Sequence, residues 1–248
     1  MLFPRLPNIR QTERQRHVTQ VLYTMPLYGM HQQQPQQSQS NYTIAFHNGQ
    51  GCFNKLDHYC VDTFYFNIDI LCLMELHSPL NGRLIPTFQA PLEIPSLQRN
   101  GTGIALFIKH HLSTETLLSE RFYHNHATIE LQAIRLYNTL LIFLYCNPQT
   151  SPLFLHQTLD SILHNLINQL QQTRTIHCLG DFNNACNEDN MVYFALEYYG
   201  LLLQTTSVPT HQSGSHLDKA LSNCPIQLHL RPTYSSDHST VWFSLQEN

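Results

Sequence analysis

Leu179-Gly180-Asp181-Phe182-Asn183-Asn184 decides how this chain is read: an apolar strand, Thr175 to Leu179, stops abruptly at a glycine, a carboxylate and two amides. Glycine permits a close turn there. Asp181 and Asn183, two apart on extended backbone, point to one face. One can then accept a proton while the other orients a phosphate or a water.

Reading outward, polar groups recur at the ends of other apolar runs. Asp69 to Met74 is a continuous apolar strand of the kind buried on both faces, and Glu75 follows it. A carboxylate in that place must be solvated, paired or coordinated, because an unpaired buried charge costs several kcal/mol. Tyr42 to Phe46 is a short strand that closes on Asn48-Gly49-Gln50-Gly51, which alone reads as a turn. Tyr145-Cys146-Asn147-Pro148 puts a phenol at a strand end. Pro209-Thr210-His211 precedes Leu217-Asp218, and Ser236-Asp237-His238 leads into the last strand. Asp218 and His238 are suited to pair, the acid fixing the ring and favouring imidazolium.

The remaining pattern mixes strands and helices. Cys52 to Phe66 reads as a helix with Phe53, Leu56, Cys60 and Phe64 on its apolar face. Gly103 to Ile108 is a strand; Thr128–Arg135 and Thr139–Tyr145 form a hairpin turning at Tyr137-Asn138. Ser151 to Gln172 is the clearest helix, with Leu155, Leu159, Ile162, Leu163, Leu166, Ile167 and Leu170 along one stripe. Asn190 to Tyr199 is a helix stopped by Gly200, and His216 to Leu221 and Thr240 to Leu245 are closing strands. Segments Asn81 to Gln98, His110 to His126 and Gln204 to Ser213 read as loops. This mixture argues for an α/β layered sandwich rather than a purely parallel sheet.

Composition bounds the rest. Of 248 residues, 12% are charged, about half the usual share. Residues 1–40 hold Arg5, Arg10, Arg14 and Arg16 against Glu13, so residues 41–248 carry −7 of the net −4. A basic arm on a mildly acidic body is not a tight non-specific nucleic-acid binder. His31 to Ser40 is low complexity, which makes 1–40 a flexible Arg/Gln-rich arm suited to docking and 41–248 the globular domain. Seven cysteines without a Cys-x-x-Cys spacing read as reduced thiols, hence a nuclear or cytoplasmic setting. The apolar run Leu140 to Cys146 is only strand-sized, so no membrane partner is expected.

In the order Asn, Glu, Tyr, Gly-Asp-x-Asn, Leu-Asp, Ser-Asp-His, these motifs resemble the endonuclease/exonuclease/phosphatase superfamily over residues 41–246. Asn48-Gly49-Gln50-Gly51 with Lys55, Glu75-Leu76-His77, Gly101-Thr102-Gly103 and Pro209-Thr210-His211 look most like its retroelement and transposon-borne branch. The resemblance implies a DNase-I-like four-layer α/β sandwich, two packed mixed β-sheets flanked by helices. It implies a Mg²⁺ site, with Mn²⁺ as the substitute, at Glu75 helped by Asn48, Gln50 and Asp237. Asp181 would deprotonate the attacking water, Asn183 and Tyr145 would hold the phosphate, and His238, charged through Asp218, would stabilise the transition state. Gln50 where an acid would serve a second metal departs from that pattern. So does the scarcity of cations: Lys55, Arg83, Arg99, Lys109, Arg121, Arg135, Arg174, Lys219 and Arg231 are all that could line a groove. The expected activity is nicking of DNA to a 3′ hydroxyl and 5′ phosphate by a monomer. A small-molecule or lipid phosphatase, a catalytically silent interaction module and an RNA-cleaving enzyme are the alternatives.

Overall fold

The computed structural model describes residues 41–96, 102–169, 173–187 and 198–246. Their strands form two six-stranded sheets. In spatial order the first holds β11 (His229–Arg231), β12 (Thr240–Gln246), β1 (Asn41–Asn48), β2 (Ile70–Met74), β4 (Ile104–Ile108) and β3 (Leu92–Ile94). The second holds β5 (Glu115–His124), β6 (Ala127–Leu136), β7 (Thr139–Cys146), β8 (Thr175–Asp181), β10 (Asp218–Ser222) and β9 (Leu202–Gln204). Within each sheet only the central pair is parallel, β1 with β2 and β7 with β8. A parallel pair needs a crossover. The first runs through a 3₁₀ turn, Cys52–Lys55, and α1 (Leu56–Val61); the second runs through α2 (Pro152–Gln169).

Three apolar clusters follow from this layering. Phe46, Cys72, Met74, Phe143, Leu179 and Val241 fill the space between the sheets. Leu155, Leu159, Leu163 and Leu166 of α2 cover the outer face of the second sheet. Leu56 and Tyr59 of α1, with Leu80, Ile85 and Phe88, cover the outer face of the first. Every residue of β2, β4 and β7 is buried, as continuous apolar runs covered on both faces must be. The architecture is therefore the expected four-layer sandwich of two mixed sheets.

Several local expectations need correction. The helix expected over Cys52–Phe66 is broken: Asp62 adopts extended backbone and its carboxylate accepts the Phe64 N–H at 3.0 Å, ending α1 early. Tyr59 and Tyr65 are consequently buried, while Phe53, Cys60 and Phe64 only partly cover the cluster. His110 to His126 is not a loop but mostly β5, an edge strand paired only with β6. Its Glu115, Ser119, Glu120 and Arg121 hide it from an apolar-periodicity reading, and such charge is what keeps an edge from pairing with other chains. The short edge strand β3 also falls in an expected loop, and β9, which only touches one at Gln204, and β11 were not anticipated. The hairpin turn at Tyr137, with φ of 50°, is as expected. So is α2, opened by Ser151, whose Oγ accepts the Phe154 N–H at 3.2 Å. The 1–40 arm, the helix expected over 190–199 up to Tyr198, Arg99, Gly101, the end of the long helix over 170–172 with its Leu170, and the side chain of Ile167 lie outside the described residues.

Candidate active site

The C-terminal ends of β1, β2, β7 and β8 and the start of β10 meet at one edge of the sandwich. Backbone geometry there is unusual. β1 stops at Asn48 because Gly49, Gln50 and Gly51 turn away, and Gly51 N–H donates to Glu75 O at 2.7 Å, tying that turn to the end of β2. Gln50, Glu75, His77 and Asn183 all have positive φ, between 44° and 62°. Non-glycine residues held there cost on the order of 1 kcal/mol each and concentrate at functional sites. Gly180, at φ of 148°, lies under Leu144 of β7: an added Cβ would stand 1.8 Å from Leu144 O. That contact fixes where Asp181 emerges.

Hydrogen bonds join the expected residues into one network. Asn48 Nδ2 donates to Glu75 Oε1 at 3.0 Å and to Asp181 Oδ2 at 2.8 Å, linking the two sheets. Tyr145 OH donates to Glu75 Oε1 at 2.9 Å. The Asn183 backbone N–H donates to Asp181 Oδ1 at 2.8 Å, and its Nδ2 donates to Cys146 O at 2.6 Å. Asp218 lies directly across from Asp181 in the β8/β10 ladder. Its Oδ2 accepts from His238 Nδ1 at 2.7 Å, both residues buried. Gln50 Nε2 donates to Asp237 Oδ2 at 2.8 Å. Two of the roles inferred for phosphate contacts change in emphasis. Tyr145 has one proton and gives it to Glu75, and Asn183 gives one amide hydrogen to Cys146 O and turns the other toward Asp181 Oδ2, a long contact of 3.5 Å.

The charges follow from this geometry. Burial, then the neighbouring Asp218, lifts the Asp181 carboxyl to about 7, against the pull of His238 and Asn48. For His238 burial disfavours the charge, but the hydrogen bond and charge of Asp218, with Asp181 and Asp237, raise it to about 9. His238 is thus an imidazolium at neutral pH beside a carboxylate able to take up a proton. Asp237 is held below its ordinary value: burial opposes this, and hydrogen bonds from His211 and Gln50 outweigh it.

The donor set fits a divalent cation. Glu75, Asp181 and Asp237, with the Asn48 and Gln50 amides, offer only oxygen ligands, which suit Mg²⁺ or Mn²⁺. The Asn48 amide lies between two carboxylates, and the buried Asp237 Oδ1 has no hydrogen-bond partner. Two histidine-containing groups, His211-Asp237-His238 and Asp181-Asp218-His238, are also compact enough to ligate. Both include His238, whose Nδ1 is engaged by Asp218 at 2.7 Å. His211 is committed as well: Nδ1 accepts the Ser213 N–H at 3.0 Å, so Nε2 carries the proton donated to Asp237 at 3.0 Å. The Glu75 and Asn48 oxygens stand beside these groups at the same edge, joined to Asp181 through the Asn48 amide.

The sequence reading left His211, His77 and Lys219 out of the site. The His211 ring packs on that of His238 at 4.7 Å, His77 Nε2 lies 3.3 Å from Glu75 Oε2, and Lys219 Nζ donates to Asn183 O at 3.0 Å. His211 and His77 lie in the quoted motifs, which was the available signal. The groove cations are largely engaged. Lys55 locks the Gly49 and Gln50 carbonyls, Arg83 pairs with Asp57, Arg121 with Glu130 and Arg231 with Asp62. Lys109 pairs with Asp69 at the start of β2, and Arg135 pairs with Glu115 near the hairpin turn; both are far from the site edge, as is Arg174 beside Asn138.

The model of the endonuclease/exonuclease/phosphatase family matches residues 47–238, and the chain belongs to that family. Its members are hydrolases that act on phosphate ester bonds and generally use divalent metal ions. Among solved structures, the human Nocturnin catalytic domain with bound sulfate is 16% identical, at a TM-score of 0.56, covering 88% of this chain and 100% of that one. The Haemophilus ducreyi cytolethal distending toxin is 17% identical, at 0.57, covering 82% and 97%. Caenorhabditis elegans TDP2 is 10% identical, at 0.58, covering 84% and 75%. These likenesses establish the shared fold. No curated protein matches the chain. All seven cysteines are free thiols, and among the described residues no helix is long and apolar enough to cross a membrane.

Proposed function

We propose that this chain is a divalent-metal-dependent DNA endonuclease that nicks one strand to leave a 3′ hydroxyl and a 5′ phosphate. Its motifs are most like those of the retroelement-type branch of the family. The observation that carries the reading is Asn48 bonded at once to Glu75 and Asp181, with the Asp218–His238 pair across the ladder. A cation ligand, a proton acceptor and a proton-bearing cation thus stand around one point.

Glu75 and Asn48, helped by Asp237 and Gln50, would hold the metal. When bound it supplies Lewis-acid stabilisation of the phosphate and the departing 3′ oxygen. Tyr145 and His77 hold the Glu75 carboxylate in place through both its oxygens. Asp181, whose carboxyl is lifted toward neutrality, takes the proton of the water that attacks phosphorus; a base near the working pH is the efficient choice. The new O–P bond forms as the P–O3′ bond breaks, and the 3′ oxygen is protonated from solvent. His238 keeps its Nδ1 proton on Asp218 and offers the Nε2 proton to a phosphoryl oxygen as charge grows there. The second amide hydrogen of Asn183, held only by the long contact to Asp181, turns to the same phosphate. DNA is the expected partner, the protein acts as a monomer, and the 1–40 arm serves docking.

Supercoiled plasmid incubated with Mg²⁺ tests this. The expected result is relaxed circles that disappear with EDTA and with Asp181→Asn or His238→Ala. Intact plasmid alongside phosphate release from inositol phosphates would replace the nuclease by a phosphatase. Neither activity would leave an interaction module.

A further inference from the structure

Lys219 is buried in a way that the reaction above does not use. Alternation along β10 turns Asp218 and Ala220 inward and Lys219 and Leu221 toward the outer layer. Lys219 is 5% exposed. Its Nζ makes one hydrogen bond, to Asn183 O at 3.0 Å, and no carboxylate lies within ion-pair distance of it among the described residues. Buried ammonium groups are seldom left without an anionic partner. Burial lowers its pKa, while Cys186, Asp181 and Asp218 hold it up.

Lys219 lines an open pocket of about 340 Å³ whose walls also include Asn183, Asn184, Thr205, Ser215 and His216. None of the described lining residues is acidic, in contrast to the carboxylate-rich cluster on the other side of Asn183. Asn183 is the wall between the two: its side chain faces Asp181 and its carbonyl faces Lys219. A cation with two unspent donors, set among amides and hydroxyls, is a receptor for an oxyanion.

We infer that this pocket holds a second phosphate of the substrate, the one adjoining the scissile linkage along the strand, with Lys219 as its cation. The identity of the anion rests on the nuclease reading; the pocket's preference for an oxyanion does not. Such a subsite restricts good substrates to polynucleotides and to nucleotides with two phosphates. It also adds a positive charge beside the carboxylate-rich cluster.

Calorimetric titration in EDTA tests this without hydrolysis, using thymidine 3′,5′-bisphosphate and each thymidine monophosphate at fixed salt. Wild type should bind the bisphosphate about tenfold tighter or more than either monophosphate, since a charge-assisted hydrogen bond has that worth. Lys219→Gln should remove the preference and Lys219→Arg should keep it, with both variants checked for wild-type melting temperature. If Lys219→Gln does not fold, Lys219→Arg and the wild-type ratio carry the test. Equal binding of the three nucleotides by wild type, or a preference unchanged in Lys219→Gln, would overturn the inference. Plasmid nicking by wild type, run alongside, reports on hydrolysis alone. A Lys219-dependent preference without nicking keeps the pocket and sinks the nuclease reading, and nicking with an unchanged ratio does the reverse.

Discussion

Replacing Asp218 with asparagine removes one buried negative charge while leaving an oxygen that His238 Nδ1 can still reach. In the wild type the His238 ring is lifted from 6.5 to about 9 although burial works against its charge. That rise corresponds to about 3 kcal/mol in favour of the imidazolium. The sign is that of a raised base: the stabilisation is complete below pH 6.5 and fades as pH climbs through about 9. At pH 8 the wild-type ring is about nine-tenths protonated. Without the Asp218 charge only Asp181 and Asp237 oppose burial, and the ring should titrate about two units lower or more. Its protonated fraction at pH 8 then falls below about a tenth. Nuclear magnetic resonance of the ring protons in EDTA reads this directly. The alkaline limb of nicking activity should move down with it, at a cost of about tenfold in kcat/KM at pH 8. A His238 that still titrates near 9 in Asp218→Asn would refute the assignment of the pair as the source of the charge.

Other perturbations have equally definite outcomes. Gly180→Ala forces a Cβ to within 1.8 Å of Leu144 O and should cost about 3 kcal/mol or more in urea unfolding; a loss below about 1 kcal/mol would mean the strands separate freely. Glu130 is fully buried, accepts the Gly103 N–H at 2.7 Å and pairs with Arg121. Glu130→Met should therefore lower stability by about 3 kcal/mol by stranding a cation, and an unchanged urea midpoint would contradict this. His177, buried and depressed to about 4 by that burial, must stay neutral in the fold. Its contribution should be a loss of about 2 kcal/mol between pH 7.5 and pH 5, read as the difference between the stability curves of wild type and His177→Gln, and parallel curves over that range would contradict it.

The chemistry of this chain was more legible than its outline. Glu75 and Asp181 stand at the ends of runs too apolar to be anything but buried strands, so a charge there declares itself. The same runs gave β2, β7 and β8. β5 stayed hidden because an edge strand needs only one good neighbour, and Glu115, Glu120 and Arg121 are what protects its open side. The helix expected over Cys52–Phe66 failed at Asp62, where a side-chain hydrogen bond to Phe64 outweighed a plausible apolar stripe. Pairings across long separations were beyond reach. Nothing local shows that Arg231 is taken by Asp62, that Tyr145 gives its proton to Glu75, or that His211 rests on Asp237 and His238. These contacts exist only once two sheets are stacked, and they decide which cations and donors remain for a substrate.

The most direct test is the position of Mn²⁺ located by anomalous scattering in crystals of the wild-type protein. One peak bounded by Glu75 and Asn48, absent from Glu75→Gln crystals, is the predicted result. A peak on His211, Asp237 and His238 with none at Glu75, or no peak at this edge of the sandwich, would contradict the account.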